Sequence, residues 1–254
     1  MKENPIVSVI MPAYNAERFI EAAIRSVMEQ TFQNWELIVL DDGSRDHTRQ
    51  IIETLAQQDQ RIRNCPNERN MGVARTRNRG FDLCRGRYVA LLDSDDIWHP
   101  EKLEKQLARA QETGAELIFT PYALMDASGA PVGTEYLVPA QVSYSQLLKE
   151  NVIGCSTVML SAHLLQNYRF ETDFFHEDYV LWLRLLQDGC TAVSCSEVLV
   201  NWRYLPNSRS FDKRKSAMNR WRIYRKYLKL PLHKSAFYFA AYAVRGIRKY
   251  RKTG

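Results

Sequence analysis

Three short runs rich in branched apolar residues, each closing on polar or acidic residues, most constrain how this chain can fold. Residues 6–11 run up to Pro12, residues 35–40 up to Asp41-Asp42-Gly43-Ser44, and residues 87–92 up to Asp93-Ser94-Asp95-Asp96. Runs of this length and composition read as buried strands. Pro12 predicts a sharp stop to the first, because it has no N–H for a strand ladder. Between the runs lie helical stripes: Phe19, Ile20, Ala23, Ile24, Val27 and Met28 within 16–30, then Ile51, Ile52 and Leu55, then a third helix from Gly72 to Leu83. Strands alternating with helices predict an α/β fold on a parallel, helix-covered sheet. Ligands of such sheets bind beyond the carboxyl ends of the strands. Here those ends carry Tyr14-Asn15 and the two acid groups.

The remainder predicts a helix from Pro100 to about Thr113 closed by Gly114, a strand over 116–121, and a hairpin with loops over 122–139. Helices are expected near 145–150 and 161–167, and another from Glu177 with Gly189 as its stop. A late strand is expected over 199–204. No internal repeat or low-complexity linker interrupts the chain, so one compact domain with a tail is the expected organisation. With 254 residues, 45% of them hydrophobic, there is enough apolar material for one large core or two small fused ones. Five cysteines without a CxxC pair predict free thiols in a reducing compartment rather than disulfides or zinc.

Charge is split unevenly. Residues 203–254 hold sixteen Lys and Arg against one acid, Asp212, whereas residues 1–202 are net −9. The tail alone therefore suits an anionic partner. No secretory pattern opens the sequence, and the longest apolar run, 236–244, is nine residues. A membrane-spanning helix needs about 20.

The acids carry the clearest chemistry. Asp93, Asp95 and Asp96 repel one another and need a countercharge. Hard oxygen ligands suit Mn2+ or Mg2+, with phosphate oxygens completing the shell. A solvated turn or helix cap is the plainer alternative; the Asp41-Asp42 pair at a second strand end favours the ligand site. Arg69, Arg75, Arg77 and Arg79 surround a glycine-started helix, where guanidinium groups and backbone amides could hold a nucleoside diphosphate. Some of these arginines are expected to be surface charge only.

Together these segments resemble family 2 glycosyltransferases. Residues 7–17, VSVIMPAYNAE, are similar to the family's opening strand, and Asp41-Asp42-Gly43-Ser44 with Asp46 and Thr48 to its nucleotide-binding turn. Asn70-x-Gly72-x-Ala74-Arg75-x-x-Asn78 resembles its third signature, and Leu92-Asp93-Ser94-Asp95-Asp96-x-Trp98-x-Pro100 its DxD metal motif. His176-Glu177-Asp178-Tyr179 resembles its acceptor-side acidic pair. Order and spacing hold over roughly residues 6–205.

The resemblance implies a GT-A fold: a mixed, mostly parallel sheet flanked by helices over residues 1–205, followed by a basic amphipathic helical tail over 206–254. Within it, about 1–98 would form the nucleotide-sugar half and 99–205 the acceptor half. It also implies an inverting, metal-dependent transfer of one sugar from a nucleotide-sugar to a saccharide or lipid-linked saccharide. Asp95 would hold the metal, with Asp93 and Asp96 assisting or binding ribose. Pro12, Ala13, Tyr14 and Asn15 would line the base pocket, and Asp42, helped by Asp41, would accept from base or ribose. Arg75 would contact base or diphosphate, Ser94 would lie in the donor site, and Arg203, on a late strand and loop with Asn207-Ser208, would reach the diphosphate. Asp178 would be the general base, with Glu177 second to it.

Processive members carry a QxxRW motif and membrane spans; here only Arg220-Trp221 echoes it, which favours single-sugar addition. Three rival readings remain: a sugar nucleotidyltransferase, a nucleic-acid-binding module, and a non-catalytic sugar-binding protein. The first lacks its glycine-rich loop after the opening strand, the second is disfavoured by the acidic body, and the third by the intact acids. The basic, aromatic tail is expected to dock on anionic lipid at the inner face of the bacterial plasma membrane, leaving the enzyme cytoplasmic and peripheral. Packing on the catalytic body or a dimer contact are the alternatives for the tail.

Overall fold

The computed structural model describes residues 4–133, 135–205 and 212–251. In chain order the first half holds β1 (Val7–Ala13), α1 (Ile20–Met28), β2 (Trp35–Asp41), α2 (Thr48–Gln58), β3 (Ile62–Asn64), α3 (Val73–Leu83), β4 (Tyr88–Leu91) and β5 (Ile97–Trp98). The second half holds α4 (Lys102–Thr113), β6 (Leu117–Phe119), β7 (Tyr122–Met125), β8 (Gln141–Val142), α5 (Tyr144–Lys149), β9 (Met159–Ser161), α6 (Glu177–Gln187), β10 (Ala192–Ser194) and β11 (Val200–Arg203). The tail forms α7 (Lys213–Arg222) and α8 (Leu232–Arg251), joined through a π-turn at Ile223–Tyr227. Residues 206–211, which include Asn207-Ser208 and the start of the expected tail, lie outside the described residues, as do 252–254.

The main sheet has the order β3-β2-β1-β4-β9-β6-β10-β8. β3, β2, β1 and β4 are parallel; β9 runs antiparallel to both β4 and β6, and β10 is again parallel to β6. A second sheet, β5-β11-β7, lies beside the acidic turn after β4. Both faces of the main sheet are covered, which explains why its central strands are apolar at nearly every position. Val7, Val9 and Met11 face α1, α2 and α4, while Ile10, Ile38, Val89 and Leu91 face α3, α5 and α6.

Helix α3 comes unusually close: a Cβ on Gly80 would meet Ile10 Cγ2 at 2.6 Å. The helix therefore presses on β1 only because position 80 has no side chain. At the opposite end of the strands, buried Ser8 Oγ donates to Glu36 Oε1 (2.7 Å), and Arg63 and Arg85 neutralise Glu36. Charge is thus settled at the amino end of the sheet, leaving the carboxyl end for a site.

Three expectations needed correction. β1 continues through Pro12 to Ala13, because pairing with β4 ends at Ile10↔Leu91 and the proline falls where the strand is flanked by β2 alone. Residues 161–167 form a short 3-10 turn, Ala162–Gln166, behind the unexpected strand β9. The stripe over 16–30 is helical only over Ile20–Met28, since the residues before it are tied to the turn after β2. The hairpin expected over 122–139 is present, with bridges Tyr122↔Tyr136 and Met125↔Pro131.

One buried charge gives the fold a pH signature. Lys102 is fully buried at the start of α4, with Nζ 2.7 Å from Gln106 Oε1 and 3.8 Å from the centre of the Trp98 ring. Burial pulls its pKa from 10.5 down to about 7. Between those values the unfolded chain holds a proton that the folded chain has lost, so stability rises with pH across that window. Below pH 7 the folded state carries the full cost of the buried ammonium. Lys102→Met should therefore gain most over the parent below pH 7, and the gain should shrink by up to about 1.4 kcal/mol per pH unit above it. Urea unfolding of both proteins between pH 6 and 9.5 measures this; a constant difference would disprove it.

Candidate active site

The carboxyl ends of β1, β2 and β4 and the start of α6 meet in one region. Its nucleotide-side wall is built by hydrogen bonds between the turns after β1 and β2. Asn15 N donates to Ser44 Oγ (2.9 Å), Ala16 N to Thr48 Oγ1 (2.7 Å) and Glu17 N to Asp46 Oδ2 (3.1 Å). In return Arg45 N donates to Asn15 Oδ1 (2.9 Å). Asn15 takes a left-handed backbone (φ 49°), which asparagine tolerates better than most residues. Pro12 and Ala13 are buried and Tyr14 is 48% exposed, so Tyr14 is the large side chain this wall offers to a ligand.

Asp41 and Asp42 are both buried and have different surroundings. Asp42 takes Asn67 Nδ2 (2.6 Å) and Met71 N (2.8 Å) on Oδ1 and Gly72 N (2.9 Å) on Oδ2. Its carboxylate thus fixes the loop leading into α3. Asp41 Oδ1 accepts from Ser44 N (3.1 Å). Gly43 between the acids and Ser44 is needed twice over: its φ is +77°, and a Cβ there would stand 2.9 Å from Asn70 N. Arg75 is exposed in the first turn of α3.

The three acids after β4 also separate by environment. Asp96 is buried, accepting from Arg203 N (2.8 Å) on Oδ1 and Ser156 Oγ (2.5 Å) on Oδ2. Asp93 Oδ1 takes Arg77 Nη2 (2.5 Å), and Asp93 N donates to Ser156 Oγ (3.1 Å). Burial, with Asp93 beside it, pushes Asp95 up to about 6. Burial and the other two acids push Asp96 well above the usual carboxylate range. Ser94 is half-buried between them. Arg203 Nε donates to Asp95 O (2.8 Å) and Nη1 to Asp126 O (2.8 Å), so these two nitrogens hold backbone around the turn.

No three His, Cys, Asp or Glu side chains converge on a metal position among the described residues. The donor set instead fits a hard cation that takes one or two carboxylates and completes its shell with phosphate oxygens. Asp95 suits this: no other described residue donates to its carboxylate, and burial, with Asp93 beside it, makes its lone negative charge costly without a cation.

Across the site, α6 opens with Glu177 and Asp178. Glu177 is buried, its Oε1 2.8 Å from Arg77 Nη1. Asp178 is half-buried with Oδ1 2.7 Å from Tyr179 N. Arg77 therefore joins the turn after β4 to the start of α6. Burial opposes its charge, but Asp93, Cys155 and Glu177 raise its pKa well above the ordinary value.

Sequence patterns alone did not single out Arg77, although a signal existed. It lies on the buried stripe of α3 with Ala74 and Phe81, and a charge at a core position needs a partner. Ser156, which organises Asp93 and Asp96, left no such signal.

The chain matches the family model described as glycosyl transferase family 2 over residues 8–156. It is 38% identical to TuaG of Bacillus subtilis, a glycosyltransferase assigned to teichuronic acid biosynthesis, over 96% of this chain and 97% of that protein. It is also 38% identical to WfgD of Escherichia coli, named as a UDP-Glc:α-D-GlcNAc-diphosphoundecaprenol β-1,3-glucosyltransferase, over 96% of this chain and 95% of that protein. Among solved structures, Staphylococcus aureus TarS 1–349 in complex with UDP-GlcNAc superposes with a TM-score of 0.71 at 19% identity, covering 93% of this chain and 71% of that one. The mannosyltransferase PcManGT of Pyrobaculum calidifontis, with GDP-Man and Mn2+, gives 0.69 at 18% identity, covering 95% and 70%. The fold is the GT-A fold, and with this sheet, these acid-bearing strand ends and these relatives the chain belongs to glycosyl transferase family 2.

Proposed function

We propose that this chain is an inverting glycosyltransferase that moves one sugar from a nucleotide-sugar to a saccharide or lipid-linked saccharide in bacterial surface polysaccharide synthesis. The observation that carries the reading is the meeting of the Asp93–Asp96 turn with the Glu177-Asp178 pair at the carboxyl edge of the sheet. The relatives support it, one being named for a diphosphoundecaprenol-linked acceptor.

In this reading Pro12, Ala13, Tyr14 and Asn15 form the wall against which the base lies, with Asp41 accepting from the nucleoside and Asp42 fixing the loop beside it. Arg75, exposed at the start of α3, reaches the base or diphosphate. Ser94 lines the donor site, and Arg203 shapes the turn that carries Asp95. Asp95 would hold Mn2+ or Mg2+, with Asp93 and Asp96 supporting it. The cation would offset charge gathering on the departing diphosphate. Asp178, which opens α6 beside the Arg77-paired Glu177, is the group assigned to take the acceptor hydroxyl proton. The acceptor oxygen then forms its bond to the anomeric carbon as the bond to the nucleoside diphosphate breaks.

The tail supports a peripheral position on the cytoplasmic face of the plasma membrane. No helix among the described residues is long and apolar enough to cross a bilayer. α8 exposes Leu232, Phe237 and Val244, while its Tyr238 and Phe239 pack on the body. Basic Lys226, Lys229 and Lys234 stand exposed nearby. Such a surface suits anionic lipid.

Three outcomes test these roles. Asp95→Ala should keep the fold and lose Mn2+-dependent nucleotide-sugar binding in calorimetry; equal affinity would sink the metal assignment. Asp178→Asn should lower turnover by roughly 10²–10⁴-fold, the range for a general base, while donor binding persists. If Glu177→Gln were the more damaging change, the two acids would exchange roles. Lys226→Glu with Lys234→Glu and Phe237→Ser should abolish sedimentation with anionic vesicles without changing turnover on a soluble acceptor. Sedimentation equal to the parent's would refute docking by this face.

A further inference from the structure

Arg77 is placed so that neither side of the site can shift without disturbing it. Its guanidinium is buried, and its two terminal nitrogens each pair with a carboxylate from a different element. Asp93 lies 16 residues away along the chain and Glu177 lies 100. A planar fork can satisfy two carboxylates in fixed directions, which a lysine cannot do. Its base is rigid as well: Gly80, one turn on, lets α3 press against Ile10. Asn78 exchanges two hydrogen bonds with the backbone of Phe170, whose ring lies 5.3 Å from the guanidinium carbon.

We propose that Arg77 is a positioning residue that couples the donor-side acidic turn to the acceptor-side helix, and that it shares Asp93 with the divalent cation. This rests on the glycosyltransferase reading for its catalytic consequence. The coupling itself is a property of the substrate-free protein. When the donor side is set by the turn, α6 is set with it, so the residue next to Glu177 arrives at the acceptor in register. Because guanidinium and cation compete for the same carboxylate, removing Arg77 leaves Asp93 freer for metal while the two halves lose their register. An ordinary structural ion pair would give the opposite pattern, with metal binding and turnover falling together.

Arg77→Gln in the full chain separates the two. Without substrate, hydrogen exchange should quicken at residues 93–96 and at 177–181 alike. Mn2+ affinity by calorimetry should be equal to the parent's or tighter. Turnover should fall by about 10²-fold, as a misplacement of about 1 Å can cause, with donor KM little changed, and Arg77→Lys should recover part of it. Parent-like turnover, quickened exchange in neither or only one segment, or Mn2+ affinity lost in parallel with turnover would overturn the proposal. A buried charge network can fail on losing one member. Should Arg77→Gln not fold, Glu177→Gln, which keeps the pair with Asp93, must quicken exchange at 177–181 and lower turnover at constant donor KM and Mn2+ affinity. Parent-like behaviour there overturns it too. A parent protein that binds no nucleotide-sugar would defeat the reading of function instead, and the exchange result would still decide Arg77.

Discussion

A parallel sheet covered on both faces leaves water access chiefly at its strand ends, and this structure is organised around that constraint. The central strands are apolar because neither face meets solvent. Polar groups therefore gather at the two ends, and the ends are used differently. At the amino end Ser8 and Glu36 are closed off with Arg63 and Arg85, a network that is internally satisfied. At the carboxyl end Asp93, Asp95 and Asp96 crowd one turn, where Asp93 shares Arg77 with Glu177 and Arg203 binds the turn's backbone. A buried excess of negative charge is stable only if protons or a cation reduce it. Burial first, and then the neighbouring acids, raise the pKa values of Asp95 and Asp96.

The acids differ less in chemistry than in what surrounds them. Asp42 and Asp96 direct their oxygens at backbone amides and a buried serine, so they build loops. Asp95 is half-buried, and no other described residue donates to its carboxylate. Glu177 is paired with the Arg77 guanidinium, and Asp178 accepts from the backbone N–H of Tyr179. The same residue type thus serves as brace, ligand candidate and base candidate within one small region. Fixed local hydrogen bonds, not residue identity, divide the roles.

The tail belongs to the body more than its charge suggests. Buried Arg220 lies 3.7 Å from the Tyr179 ring and 4.6 Å from the Tyr242 ring, linking α7 to both α6 and α8. Tyr179 and Tyr224 in turn donate to the last carbonyls of α5, Leu147 O and Leu148 O. A surface that meets a membrane through α8 would therefore be mechanically continuous with the helix that bears Asp178. Substitutions confined to the exposed face therefore probe docking while leaving this packing in place.

The sequence by itself determined the alternation of β1, β2 and β4 with α1, α2 and α3, the acid-bearing ends after β2 and β4, and the acidic start of α6. These depend on local patterns: apolar runs, helical stripes, and glycine or proline at the boundaries. It could not locate β3, β8, β9 or β10, each two or three residues long and defined by neighbours rather than by internal pattern. Nor could it assign roles among adjacent acids or recognise Arg77 as the link between two motifs. Those outcomes depend on which groups, 16 to 108 residues apart, come within hydrogen-bond reach of each other. A carboxylate's partner and burial fix whether it binds, braces or titrates, and both arise only when the sheet and its covering helices have closed around it.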